Sequence, residues 1–164
     1  MITITEMTPA LRRPATRLAA RVFDYWAWYV KLAFWAYGHR ENRCVKAGMR
    51  LGRIASLRNY WVAVTEAGDV CGVTGLYEYR RDRHEAVWMA WFCVDPERRG
   101  QGIGRQLIEH AIGQARAQGY RYFRLHTSAH PNEAAAQGLY EAYGFRLIGE
   151  DGLFVKTLIR ELVL

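Results

Sequence analysis

A chain of 164 residues is long enough to bury a sizeable core and fits one domain. Its hydrophobic fraction of 51% and charged fraction of 24% exclude a disordered or fibrous polypeptide. The net charge of +7 favours anionic ligands, yet Arg80-Arg81 and Arg98-Arg99 are short, interrupted runs and no basic tail exists.

The first ten residues include Glu6 and lack an apolar core, so no signal peptide is expected. Ile2–Thr5 alternates apolar and polar residues, as a short strand does. Thr8-Pro9 is a helix start, and Leu11, Leu18, Val22 and Phe23 supply a partial apolar face. The segment Phe23–Tyr37, FDYWAWYVKLAFWAY, is apolar on nearly every side. With Asp24 and Lys31 inside, it is too short and too charged to span a bilayer, which needs about 20 apolar residues. Such a helix packs into the core, walls a binding site or meets a second subunit of a homodimer, with membrane-surface docking the weakest reading.

His39–Asn59 is polar and basic and reads as helix or loop of low order. Tyr60–Val64 and Val70–Tyr79 read as strands around a turn at Glu66–Asp69, and Ala86–Val94 follows the charged turn Arg80–Glu85 as the next antiparallel strand. A helix over Ile103–Gln118 stops at Gly119. Tyr120–Thr127 then runs parallel to the strand ending at Val94, because a helical crossover joins them. Ala134–Tyr143 is a second short helix stopped by Gly144. Phe145–Gly149 and Leu153–Leu162 close the chain around a Glu150-Asp151-Gly152 turn. With no repeat or linker, the expected fold is an α/β (α+β) single domain over residues 1–164. Its sheet is mixed, mostly antiparallel, of about seven strands flanked by helices.

The three cysteines, Cys44, Cys71 and Cys93, are odd in number and have no C-x-x-C spacing. A disulfide framework and a zinc site are both disfavoured, and reduced thiols in a cytoplasmic protein are expected. His126 and His130 stand four apart, but Pro131 argues against a helical metal pair, so no metal is expected. Ser128 has no G-x-S-x-G context for a nucleophile.

Trp88–Leu107 carries the chemistry. An apolar strand ends near Pro96 and passes through a basic, glycine-rich loop into an amphipathic helix. Gly100, Gly102 and Gly104 alternate with Gln101 and Ile103. Glycines let a ligand approach the backbone, and the first helical turn leaves N–H groups without intrahelical partners. Together with the helix dipole and Arg98, Arg99 and Arg105, these donors suit a diphosphate. The mononucleotide loop GxxxxGK[ST] and the dinucleotide fingerprint GxGxxG are both absent. What fits is Arg99-Gly100-Gln101-Gly102-Ile103-Gly104, or R-x-x-G-x-G. Further on, Leu139-Tyr140-Glu141-Ala142-Tyr143-Gly144-Phe145 reads L-Y-x-x-x-G-F.

These two motifs resemble the signatures of the GNAT superfamily, the acetyl-CoA-dependent N-acetyltransferases. The resemblance covers Tyr60 to Leu162, and the N-terminal third by topology alone. It implies acetyl-CoA as co-substrate and direct attack of an amine on the thioester. It places the backbone of Phe92, Cys93 and Val94 along the pantetheine arm. The N–H groups of Arg99, Gly100, Gln101, Gly102, Ile103, Gly104 and Arg105 fall on the pyrophosphate. Tyr140 matches the family's tyrosine acid, protonated at neutral pH (reference pKa about 10) and able to protonate the departing sulfur. The family often has Asn seven residues before this tyrosine. Here that place is Glu133, and Asn132, one residue earlier, is a cofactor-contact candidate through a one-residue slip.

A base for the amine is less defined. The strand position that carries Glu in some relatives is Trp88 here. Glu78 is the first substitute, with Glu85, His84 and a water relay beside it. The acceptor itself has no motif: a small molecule, a peptide N-terminus and a lysine all remain. Two other classes compete with an enzyme. A non-catalytic acyl-CoA-binding or sensing module would keep the fold, and a nucleic-acid binder would rest on net charge alone without a basic-aromatic stripe.

Overall fold

Val70–Tyr79 and Ala86–Val94 are buried at most positions, the pattern of strands covered on both faces. They form β3 and β4 at the centre of a seven-stranded sheet with order β1-β2-β3-β4-β5-β7-β6. The computed structural model describes residues 1–128, 133–151 and 157–164. In chain order these comprise β1 (Ile2–Glu6), α1 (Pro9–Val22), a short 3-10 turn at Asp24–Trp26, α2 (Ala27–Gly38), α3 (Arg43–Leu51), β2 (Ile54–Thr65), β3 and β4. A second 3-10 turn at Pro96–Arg98 leads to α4 (Ile103–Ala117), β5 (Tyr122–Thr127), α5 (Ala134–Ala142), β6 (Arg146–Asp151) and β7 (Thr157–Val163). Among the described residues, only β4 and β5 pair in parallel. The seven-stranded mixed α/β sheet is therefore as the sequence implies.

Helices cover both faces. On one, Ala15, Leu18, Val22 of α1 and Val30, Phe34, Tyr37 of α2 pack on Tyr60, Val62, Val73, Ala90 and Cys93. On the other, Ile103, Leu107, Ile108, Ala111 and Ile112 of α4 pack on Trp61, Ala63, Leu76, Val87 and Met89. The alternation of strand side chains feeds the two cores from the same strands. A Cβ added at Gly38 would fall 1.3 Å from a guanidinium nitrogen of Arg12, so the end of α2 meets α1 through a glycine.

Boundaries differ from expectation by more than a residue or two at three places in particular. Arg43–Leu51 is a regular helix, capped by the Asn42 side chain accepting from the Cys44 N–H, where the sequence reads as low order. β2 begins at Ile54 rather than Tyr60, because its polar first half still pairs with the end of β3 (Ile54↔Tyr79, Ser56↔Glu78). Glu150 and Asp151 continue β6 against Leu158 and Thr157 instead of turning, and Gly152 lies outside the described residues.

Candidate active site

Most of the expected site residues gather where β4 parts from β5. Their parallel register runs from Ala86↔Tyr122 to Met89↔Leu125 and stops there. Beyond it, Cys93 and Val94 keep their pairing to Val73 and Gly72 of β3. The other edge of Phe92–Val94 has no strand partner among the described residues, which leaves backbone groups open for an extended ligand. A bulge lies at the divergence: the β3–β4 register shifts between Val73 and Gly75, and Trp91 takes φ +47°. A tryptophan in the left-handed region is strained and persists because packing holds it. Its ring meets Phe23, Tyr29 and Phe34, with centroids 5.5, 5.7 and 6.5 Å away. The bulge thus turns both Ala90 and Trp91 toward the α1–α2 side, while Phe92 faces α4 and α5.

The glycine loop follows. Gly100 and Gly102 both hold φ +77°, and a Cβ on either would meet nothing within 4 Å. Gly102 is the N-cap of α4 and offers no capping side chain, so the first N–H groups of the helix point out uncapped. Gly104 lies deeper, and its added Cβ would touch Leu139, Phe92 and Val94 at 3.6 Å. The open edge of β4, the start of α4 and α5 therefore meet at one point.

Tyr140 arrives there from α5. It is buried against Phe92 and Phe145, with ring centroids 5.9 and 5.8 Å away. Burial, then the charges of Glu133 and Cys93, push its phenol far above the ordinary tyrosine value. Among the described residues its hydroxyl has no hydrogen-bond partner, so the proton is available to a ligand. Burial likewise lifts the Cys93 thiol to about 12, which removes a thiolate nucleophile from the site.

Residues 56–147 match the family described as "Acetyltransferase (GNAT) domain", more than half of the chain. The chain belongs to the GNAT acetyltransferases. The spermine/spermidine N(1)-acetyltransferase of Bacillus subtilis is 33% identical over 100 residues, covering 58% of this chain and 65% of that protein. The peptidyl-lysine N-acetyltransferase YjaB of Salmonella typhimurium is 35% identical over 89 residues, 54% of this chain and 51% of its own length. These matches thus span between half and two thirds of the relatives. A GNAT phosphinothricin acetyltransferase from Sinorhizobium meliloti, solved with acetyl-CoA, shares the fold at TM-score 0.71 and 22% identity, over 99% of this chain and 88% of that one.

GNAT acetyltransferases use acetyl-CoA, and the residues here fit it: an uncapped helix start, a loop whose glycine faces are open, and a free strand edge. Among the described residues no group of His, Cys, Asp and Glu could hold a metal ion. The structure brings Phe92, Cys93, Val94, the Arg99–Arg105 loop and Tyr140 together. Asn132 lies outside the described residues.

Glu78 is not brought to the site. It sits five residues along β3 from Val73, the partner of Cys93, or about 16 Å at strand rise. Its carboxylate accepts from Arg58 at 3.0 and 3.1 Å, from Tyr120 at 2.7 Å and from Ser56. Burial raises its pKa, but the bonds from Arg58, Ser56 and Tyr120 outweigh that and hold it below the usual carboxylate value. That arrangement suits an anchoring ion pair, not a base. Glu85 and His84 precede β4 at the same remote end, where the Glu85 carbonyl accepts from Arg121 and Tyr122. Trp88 is committed too, its indole N–H donating to Asp82.

Glu133 is the residue that sequence reasoning undervalued. Its carboxylate accepts from the Tyr25 hydroxyl at 2.6 Å, the Thr127 hydroxyl at 3.0 Å, the Ser128 N–H at 2.7 Å and the Ser128 hydroxyl at 2.8 Å. It joins the aromatic N-terminal segment to the start of the helix that carries Tyr140. The available signal was a Glu where the family's motif has Asn.

Proposed function

We propose that this chain transfers the acetyl group of acetyl-CoA to a primary alkyl amine by direct attack. The observation that carries this reading is the uncapped, glycine-edged start of α4 beside the open edge of β4, with Tyr140 packed on Phe92 at the same place. Bound acetyl-CoA supplies the thioester carbonyl. Backbone N–H groups of Arg99–Arg105 hold the pyrophosphate, and the free edge of Phe92–Val94 lines up the pantetheine arm. A strand N–H at the bulge donates to the carbonyl oxygen as negative charge develops there. Water first takes one proton from the ammonium; the neutral nitrogen then bonds to the carbonyl carbon as the C–S bond breaks, Tyr140 delivers its proton to sulfur, and the second amine proton leaves through water, which also returns a proton to Tyr140. Water takes that role because Glu78, Glu85 and His84 all lie at the far end of the sheet.

The acceptor enters from the α1–α2 side. Phe23, Tyr29 and Trp91 form an aromatic wall there, and Glu133 adds a carboxylate beside Tyr25. Aromatic faces and an anion suit an alkyl amine that arrives as a cation. The relatives named for spermine, spermidine and peptidyl-lysine are consistent with that class. A turnover screen with acetyl-CoA over polyamines, lysine peptides, aminoglycosides and amino acids tests the reading. Free-thiol release with an alkyl amine is expected. Acetyl-CoA binding without turnover on any amine would point to a sensing module instead.

A further inference from the structure

Helix α2 is apolar on both of its faces, and only one of them is covered. Val30, Phe34 and Tyr37 enter the core, while Trp28 is 66%, Leu32 49% and Trp35 51% exposed. Spacings of four and three residues place these three on one stripe, with Lys31 on the same side. A ridge of this kind has an occupant.

Charge identifies it. Residues 1–53 contain ten Lys and Arg against three Asp and Glu, whereas the remainder contains thirteen of each. The whole excess of +7 therefore belongs to the segment that bears the stripe. Of those ten bases, only Arg21 and Lys46 meet a carboxylate among the described residues, at 2.7 Å from Asp95 and 2.8 Å from Glu41. A second copy docked through this face would bring together two segments that each carry +7, which opposes association. An anionic lipid surface satisfies both features at once. Tryptophan and leucine seat at the boundary between headgroups and acyl chains, lysine snorkels beside them, and the net positive charge of the segment favours the anionic headgroups. No helix among the described residues is long and apolar enough to cross a membrane, so such docking is peripheral.

We propose that the outer stripe of α2 (Trp28, Lys31, Leu32, Trp35) docks this protein on anionic phospholipid surfaces. The test is co-sedimentation with vesicles of phosphatidylcholine alone and with one third phosphatidylglycerol, followed by tryptophan emission. Binding is expected only to the anionic vesicles, with a blue shift and weakening as salt rises. Lys31→Glu, at an exposed position, should cut partitioning about tenfold or more. Trp28→Ser with Trp35→Ser should abolish it while the far-UV spectrum and thermal transition persist. Wild-type binding that ignores lipid charge, or variants that bind unchanged, would overturn the proposal. A lipid-free dimer lost in the double variant would reassign the stripe to self-association. Duplex DNA binding lost in the same way, with no vesicle binding, would reassign it to nucleic acid.

Discussion

Two tyrosines and two glutamates bear on the proposed chemistry, and each can be tested by removing one functional group. The Tyr140 ring fills a gap between Phe92 and Phe145, so Tyr140→Phe keeps the packing and deletes only the proton donor. A kcat loss of about 10²–10⁴-fold with little change in KM is expected where chemistry limits turnover. Because its phenol is pushed far above the ordinary value, the hydroxyl stays protonated, and the pH–rate profile should show no alkaline loss from its ionisation. Glu133→Gln keeps the shape of a residue that four donors address. Removing the charge weakens those bonds, and we expect about 1–3 kcal/mol lost in thermal unfolding together with a higher KM for the amine. Tyr25→Phe should reproduce the KM effect with a smaller stability cost. Glu78→Gln separates anchor from base: stability should fall by about 1–3 kcal/mol while kcat is retained. A kcat collapse in a folded Glu78→Gln protein would restore it as the base.

Among the elements, those defined by neighbouring residues were the legible ones. The glycine loop and the L-Y-x-x-x-G-F helix can be read from sequence because a turn, a helix start and a buried tyrosine are all set within a few residues. Strands β3 and β4 were legible to the residue for the same reason, since continuous apolar runs have little alternative to burial. The Trp91 bulge has no local signature. Its left-handed backbone is stabilised by the rings of Phe23, just past the end of α1, and of Tyr29 and Phe34 in α2, contacts that exist only after folding. The Tyr25–Glu133 bond spans 108 positions and is equally invisible beforehand. At the loop, Gly102→Val tests conformation apart from contact. Nothing crowds its Cβ, so the substitution costs only the strain of φ +77°, about 1–3 kcal/mol. The apo protein should stay folded while the rise in melting temperature with acetyl-CoA disappears. An undiminished rise would detach the loop from the cofactor.

Across the whole molecule, the remote end of the sheet anchors what the open end exposes. Arg124 bridges Asp82 and Glu161 at 2.6 and 2.7 Å, and Glu78 gathers Arg58 and Tyr120, so ion pairs brace β2 through β7 away from the chemistry. His110 gives this assembly a pH dependence. Its Nε2 is buried without a partner and burial holds its pKa below the free value, while its ring rests edge-on to Trp61 at 5.0 Å. The unfolded chain then binds the extra proton first. Stability is full above the unfolded pKa of about 6.5 and declines as pH falls toward the lower folded value. In His110→Gln that decline should vanish, leaving only the carboxylate-linked loss at more acidic pH; a wild-type curve flat through this window would refute the assignment.

The sheet order also sets a timetable. β7 lies between β5 and β6, although it is the last of the seven strands to be synthesised. On a ribosome, β6 emerges while its sheet partner β7 is still inside the exit tunnel, and β5 waits with one edge bare. Until Thr157–Val163 clears the exit tunnel, β5 and β6 present bare strand edges. The interval before β7 joins them, more than any step in the motif-bearing middle, leaves the strand edges of β5 and β6 open to mispairing.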